Sequence, residues 1–194
     1  MSTKRKEYYP KNRKAWRNWL QKNHAVASHV WLILYRKETG KPSITYNEVV
    51  EEALCFGWID SKPNKRDEES YFLFIAPRKA KSPWSALNKK RIVKLQEQNM
   101  IAETGLQKIE AAKKDGSWTL LDKIEALEMP VVLKKAFAKS KKAFKNFEQF
   151  PPGVKKQIYQ WIGSAKTEPT LVKRVTETVT LAEKNIRANQ WKPK

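Results

Sequence analysis

His29-Val-Trp-Leu-Ile-Leu-Tyr-Arg36 is the stretch on which the fold turns. It is apolar on both alternations and rich in aromatic and β-branched residues, so it predicts a strand buried on both faces. Before it, Pro10 precedes Ala15, Trp16, Trp19 and Leu20 at helical spacing. After it, Glu38–Ser43 reads as a turn. Thr45 then opens a helix, with Glu48 placed to complete a capping box in which each side chain satisfies the other's free backbone N–H. Val49, Val50, Ala53 and Leu54 form its apolar stripe, and Gly57 stands where a left-handed cap would stop it. Trp58-Ile-Asp60 and Tyr71-Phe-Leu-Phe-Ile75 predict an antiparallel hairpin joined by the polar run Ser61–Ser70. With the first strand, the hairpin makes a small antiparallel sheet of about three strands.

Pro77 ends the hairpin. Ser82-Pro83 predicts the next helix start, followed by Trp84, Leu87, Ile92 and Leu95 on its buried face. Another helix begins near Thr104, carries Leu106, Ile109 and Ala112, and stops at Gly116. Beyond Trp118 every periodic segment is helical. Leu133, Phe137, Phe144 and Phe147 form one stripe, and Pro151-Pro152 breaks the chain. Val154, Ile158, Trp161 and Ile162 form a second stripe, and Pro169 opens the last helix. The fold class is therefore α+β: a sheet packed with helices over residues 1–118, followed by an all-helical part over 119–194 that either stands as its own domain or joins the first part in one compact unit.

The formal charge is +20, with 40 basic and 20 acidic residues. Residues 1–40 carry ten basic and two acidic groups, 41–118 carry fourteen and eleven, and 119–194 carry sixteen and seven. Such an excess attracts nucleic acid or another polyanion. Lysines outnumber arginines 31 to nine, which suits loose electrostatic association better than base reading. No window has the run of ~18 apolar residues that a membrane helix needs. No export signal is present, so the expected location is cytoplasmic. Cys55, alone in Ala53-Leu-Cys-Phe56, predicts a buried, inert thiol.

Residues with catalytic chemistry are sparse. His24 and His29 have no Cys or carboxylate at ligand spacing, so neither a metal nor a cofactor is expected. No glycine-rich phosphate loop or nucleophile elbow is present, and no catalytic residue is assigned. The concentrated polar-aromatic segment runs from Gly57 to Asn88. Its candidate ligand-binding residues are Trp58, Asp60, Arg66, Arg78, Lys79, Ser82, Trp84 and Asn88. Arg78 and Lys79 beside a helix start would make an anion-binding corner. The same residues also fit a structural account: Trp84 plugs the core, Ser82 caps, and Asp60 pairs with Arg66 or Arg78. A second basic cluster, Lys134, Lys135, Lys139, Lys141, Lys142 and Lys145, reads as the solvated face opposite the phenylalanine stripe, or as a polyanion patch.

Several stretches carry a family likeness: Val30-Trp-Leu-Ile-Leu-Tyr-Arg-Lys37, Thr39-Gly-Lys-Pro-Ser43, Glu51-Glu-Ala-Leu-Cys-Phe-Gly-Trp-Ile-Asp-Ser61, Pro77-Arg-Lys-Ala-Lys-Ser-Pro-Trp-Ser85 and Tyr159-Gln-Trp-Ile162. Through them, over nearly the whole chain after about residue 11, it resembles the bacterial YdeI/OmpD-associated, or bacteriocin-protection, family. It departs from the family pattern at Thr167-Glu-Pro-Thr-Leu171, where a Glu-Thr-Arg-like run is usual. The resemblance implies a non-enzymatic binding protein linked to stress or cationic-peptide resistance. The residues themselves leave two alternatives: a nucleic-acid-binding module, and an enzyme on a small anionic substrate with Asp60 as base and Arg78 and Lys79 as clamps. Oligomeric state is open.

Overall fold

The computed structural model describes residues 6–190; Lys4 and Arg5 of the basic amino terminus lie outside them. The chain divides into two compact units, Met1–Thr119 and Leu120–Lys194.

The first unit contains β1 (Glu7–Tyr8), α1 (Arg13–Asn23), β2 (Val30–Tyr35), α2 (Tyr46–Cys55), β3 (Trp58–Asp60), β4 (Asn64–Lys65), β5 (Ser70–Pro77), α3 (Ala86–Glu97) and α4 (Glu103–Lys114). Strand order is β1-β2-β5-β3, with β4 also paired to β5. The β3–β5 hairpin forms, with Ile59 opposite Ala76, and β2 runs antiparallel to β5, with Leu32 opposite Leu73. The sheet departs from the antiparallel three-strand expectation: the described residues hold five strands, and β1 pairs with β2 in parallel. β1 and β4 are two residues each, too short to leave a periodic signal in sequence.

A second departure concerns β2. Val30, Leu32 and Leu34 are buried, whereas Trp31, Ile33 and Tyr35 are only half-buried. The core forms on the first face, where Leu73 and Ile75 of β5 meet Trp16, Leu20, Val49, Val50, Ala53 and Leu54. On the other face cross-strand aromatics cover one another: Trp31 lies 5.0 Å from Phe74 and 5.9 Å from Phe72 between ring centroids.

Local chemistry sets the helix ends. The Thr45 hydroxyl oxygen accepts from the Glu48 N–H at 3.3 Å while the Glu48 carboxylate accepts from the Thr45 N–H at 2.9 Å, closing the capping box. Gly57 follows the end of α2 with φ +72°, a left-handed conformation that glycine adopts without strain. Helix α3 starts three residues later than the Ser82-Pro83 signal suggests. Ser85 is its cap, accepting from the Asn88 N–H at 3.3 Å, and Leu87 is 58% exposed. The delay has a cause: Lys81 takes φ +59°, and the carbonyls of Ser82 and Pro83 turn toward Arg78 instead of opening a helix.

Cys55 is fully buried, and burial pushes its thiol up to about 11. The stability tied to this proton is fully present below the unfolded thiol's ordinary range and is lost as the pH rises toward and through about 11. The expected loss is roughly 2–3 kcal/mol by pH 11. Denaturation curves between pH 8 and 11 should show that decline, and Cys55→Ala should flatten it. A thiol reagent should leave the native chain unlabelled at pH 8 and label it in denaturant; rapid native labelling would contradict the buried placement.

The second unit comprises α5 (Asp122–Glu125), α6 (Val131–Phe137), α7 (Lys141–Glu148), α8 (Pro152–Gly163) and α9 (Glu168–Glu183). Leu133, Phe137, Phe147, Ile158, Ile162, Val175 and Ala182 form its core. The phenylalanine stripe is divided between two helices. Ser140 caps α7, accepting from the Ala143 N–H at 3.2 Å, and the turn leaves Phe144 42% exposed. Lys134 and Lys141 therefore flank Phe137 and Phe144 in one shallow groove, not on an opposite face. Among the described residues, no helix is long and apolar enough to cross a membrane.

Candidate anion site at the end of strand β5

Strand β5 delivers Arg78 immediately after its last residue, Pro77. The Arg78 N–H donates to the Gly57 carbonyl at 2.9 Å, fixing the start of the loop against the β3 turn. Its side chain folds inward and is 5% exposed. The guanidinium lies 3.8 Å from the Trp84 ring centroid, a cation–π contact out of bulk water. Its Nη2 donates to the Pro83 carbonyl at 2.8 Å and reaches that of Ser82 at 3.5 Å. Among the described residues, buried Nε has no acceptor, Nη1 makes no hydrogen bond, and no carboxylate forms an ion pair with Arg78. Burial pushes the guanidinium down to about 10, partly countered by the field of Asp60. A cation buried without a counter-charge is costly and uncommon.

Arg78, Lys79, Lys81, Ser82 and Trp84 form one wall of a small cleft of about 60 Å³, open to solvent. Helix α4 and its exit supply the other wall, with Lys108, Ala111, Ala112, Asp115 and Ser117. Four cations face one carboxylate. Asp115 already accepts from the Ser117 N–H at 2.9 Å and the Lys81 N–H at 3.1 Å. Ser117, with the Lys81 N–H, holds its pKa below the usual carboxylate range. That carboxylate shapes the loop, and the cleft keeps a net positive lining. Trp118 packs behind Trp84, with ring centroids 5.0 Å apart and the planes tilted by 47°, and supports the indole on which Arg78 rests.

The eight residues singled out in the sequence fall in different places. Arg78, Lys79, Ser82 and Trp84 line the cleft. Trp58 is a core residue whose Nε1 donates to the His24 carbonyl at 3.3 Å. Asp60 pairs with neither Arg66 nor Arg78; it accepts from the Tyr46 hydroxyl at 2.6 Å and does not line the cleft. Arg66 lies at the opposite end of β5, seven strand steps or roughly 23 Å away. There it meets Asp67 at 2.9 Å and the Ser70 hydroxyl at 3.1 Å. Asn88 is held in α3, where Arg91 bonds both its Oδ1 and that of Asn47 at 2.8 Å. Asp60, Arg66 and Asn88 thus leave the proposed corner because they serve other contacts. Lys108, Asp115 and Ser117 join it from more than twenty residues further along the chain. Their only local sequence signal is the helix stop at Gly116, which has φ +79°. Among the described residues, no group of three His, Cys, Asp or Glu side chains is placed to hold a metal ion.

Fold and cleft together describe a basic α+β unit with one built cationic recess, followed by a separately packed helical unit. The chain belongs to the family described as a domain of unknown function (DUF8412), whose model matches residues 8–108. Residues 126–185 match a second family, described as Bacteriocin-protection, YdeI or OmpD-Associated. The amino-terminal stretches that suggested the YdeI/OmpD likeness therefore fall under the first description, and the second covers the helical unit alone. No curated protein and no solved structure matches the chain.

Proposed function

We propose that this chain is a non-enzymatic binding protein whose amino-terminal unit takes up an oxyanion, a phosphate or carboxylate, in the cleft at Arg78. The observation that carries this reading is the buried guanidinium with no ion-pair partner and an unanswered Nε–H. An oxyanion would supply the missing counter-charge, and Lys79, Lys81 and Lys108 would hold it there. Asp60, the base that an enzymatic reading would use, accepts from the Tyr46 hydroxyl and does not line the cleft, which favours binding over catalysis. The description attached to residues 126–185 supports a link to bacteriocin protection. A charge of +20 repels cationic peptides at long range, so protection would run through the anionic ligand and not through direct capture of the peptide.

Calorimetric titration with inorganic phosphate tests the site. Arg78→Met should weaken binding at least tenfold, or about 1.4 kcal/mol. Arg66→Gln, at the opposite end of β5, should leave it unchanged. Equal affinity in the parent and the Arg78 variant, both shown folded by circular dichroism, would refute the assignment. A second reading, binding of a nucleic-acid backbone, is favoured by the net charge of +20. Fluorescence anisotropy with labelled DNA and RNA across a salt series separates the two. Oligonucleotide binding that survives physiological salt and falls in the Arg78 variant would make the backbone phosphate the ligand.

A further inference from the structure

A second hollow of about 400 Å³ lies against the same face of α4, lined by His24, Phe56, Trp58, Pro77, Thr104 and Lys108 among others. The two hollows share Lys108 and Ala111. Thr104, Lys108, Ala111 and Asp115 recur at steps of four, three and four, which places them on one side of the helix. Together they line a groove roughly 16 Å long at 1.5 Å per residue.

The halves differ in chemistry. One holds Arg78, Lys79 and Lys81; the other is walled by Phe56, Trp58 and Pro77, with His24 and Phe56 at 5.1 Å between ring centroids. The partition between them is a flexible side chain. A Cβ on Gly57 would come within 2.6 Å of Lys108 Cγ, so the absence of a side chain at Gly57 lets the lysine stem lie flat across the turn. The second hollow also has an unsatisfied polar atom in its wall, since buried Thr104 Oγ1 has no hydrogen-bond partner.

We infer that the ligand is bipartite: a small organic phosphate or carboxylate whose anionic head meets Arg78 and whose ring-sized apolar body occupies the hollow at Phe56 and Trp58. This rests on the anion-binding reading above and adds the class of molecule. A free inorganic anion would leave the second hollow unused. A purely apolar ligand would leave Arg78 without its counter-charge. One molecule carrying both parts satisfies the whole groove, which is of the size usual for small-molecule sites.

Titration of the full chain with inorganic phosphate and with phenyl phosphate tests this. Phenyl phosphate should bind at least tenfold more tightly. Ala25→Trp places an indole in the second hollow from an exposed position that does not line the first. It should abolish the gain and leave phosphate affinity within twofold. Gln107→Trp, on the facing wall, should do the same if the first variant folds poorly. Equal affinity for the two probes would overturn the bipartite ligand while leaving the anion site standing. Binding of neither probe would overturn both.

Discussion

Replacing Glu52 by alanine is expected to cost the amino-terminal unit about 3 kcal/mol, the low end of the range for removing one partner from a buried ion pair. Glu52 is 0% exposed, the only acidic side chain in the buried face of α2. Its two oxygens are divided between two arginines of α1: Arg13 Nε at 2.6 Å and Arg17 Nη1 at 2.7 Å. Arg17 continues to the Met100 carbonyl at 2.8 Å, so one carboxylate ties α1, α2 and the approach to α4 together. Burial works against the charge on both arginines, and Glu52, joined by Glu51 at Arg13 and by Cys55 at Arg17, more than compensates, leaving each above its ordinary pKa. Without Glu52 the two guanidinium groups face each other with only Glu51 nearby, which reaches Arg13 at 2.9 Å. The arginines are about one-third exposed and so recover some hydration, which sets the expectation at the low end. Glu52→Gln keeps the volume and should lose most of the same stability, because charge is what holds the network. Glu51→Ala should cost about 1 kcal/mol or less, as for a pair nearer to solvent. Urea denaturation followed by tryptophan fluorescence checks all three. A Glu52→Ala midpoint matching that of the parent would show the network to be incidental.

Glu52 also shows what a linear reading can and cannot supply. The α2 start at Thr45, its stop at Gly57 and the β3–β5 hairpin were legible because each signal is local: a cap three residues from its partner, a glycine after an apolar stripe, two strands joined by one polar run. Breaks at Pro151-Pro152 and Pro169 were legible for the same reason. Glu52 was not, because a charge within a helix normally reads as its solvent face, and its partners lie 35 and 39 residues earlier. The parallel β1–β2 pair escaped too, since two residues carry no period. In the cleft, Arg78, Lys79, Ser82 and Trp84 are neighbours in sequence and came as a group. Asp60 and Asn88 are close in sequence but are drawn to Tyr46 and Arg91 instead. Lys108 enters through the packing of α4 across Gly57, a contact that only the assembled unit contains.

That same packing makes Gly105→Ala the second substitution with a large expected effect, and its sign opposes the usual helix rule. Gly105 lies in the first turn of α4 and has an ordinary helical backbone, so alanine alone would favour the helix by up to ~1 kcal/mol. The position is nevertheless closed. A Cβ there would stand 2.3 Å from the Cys55 carbonyl oxygen and 2.9 Å from its carbonyl carbon. Both are backbone atoms at the end of α2, where the same carbonyl accepts from the Ala102 N–H at 2.9 Å. No rotamer change relieves such a contact; α4 must move away from α2, breaking that bond and opening the seam beside Ile109 and Leu54. The net expected loss is about 2–3 kcal/mol after the propensity gain is subtracted. Gly153→Ala is the matched control, since nothing lies within 4 Å of a Cβ at that position in α8. It should be neutral or slightly stabilising. Thermal melts of the two variants beside the parent make the comparison. If Gly105→Ala proves as stable as Gly153→Ala, helices α2 and α4 do not approach this closely, and the groove along α4 that depends on their contact loses its frame.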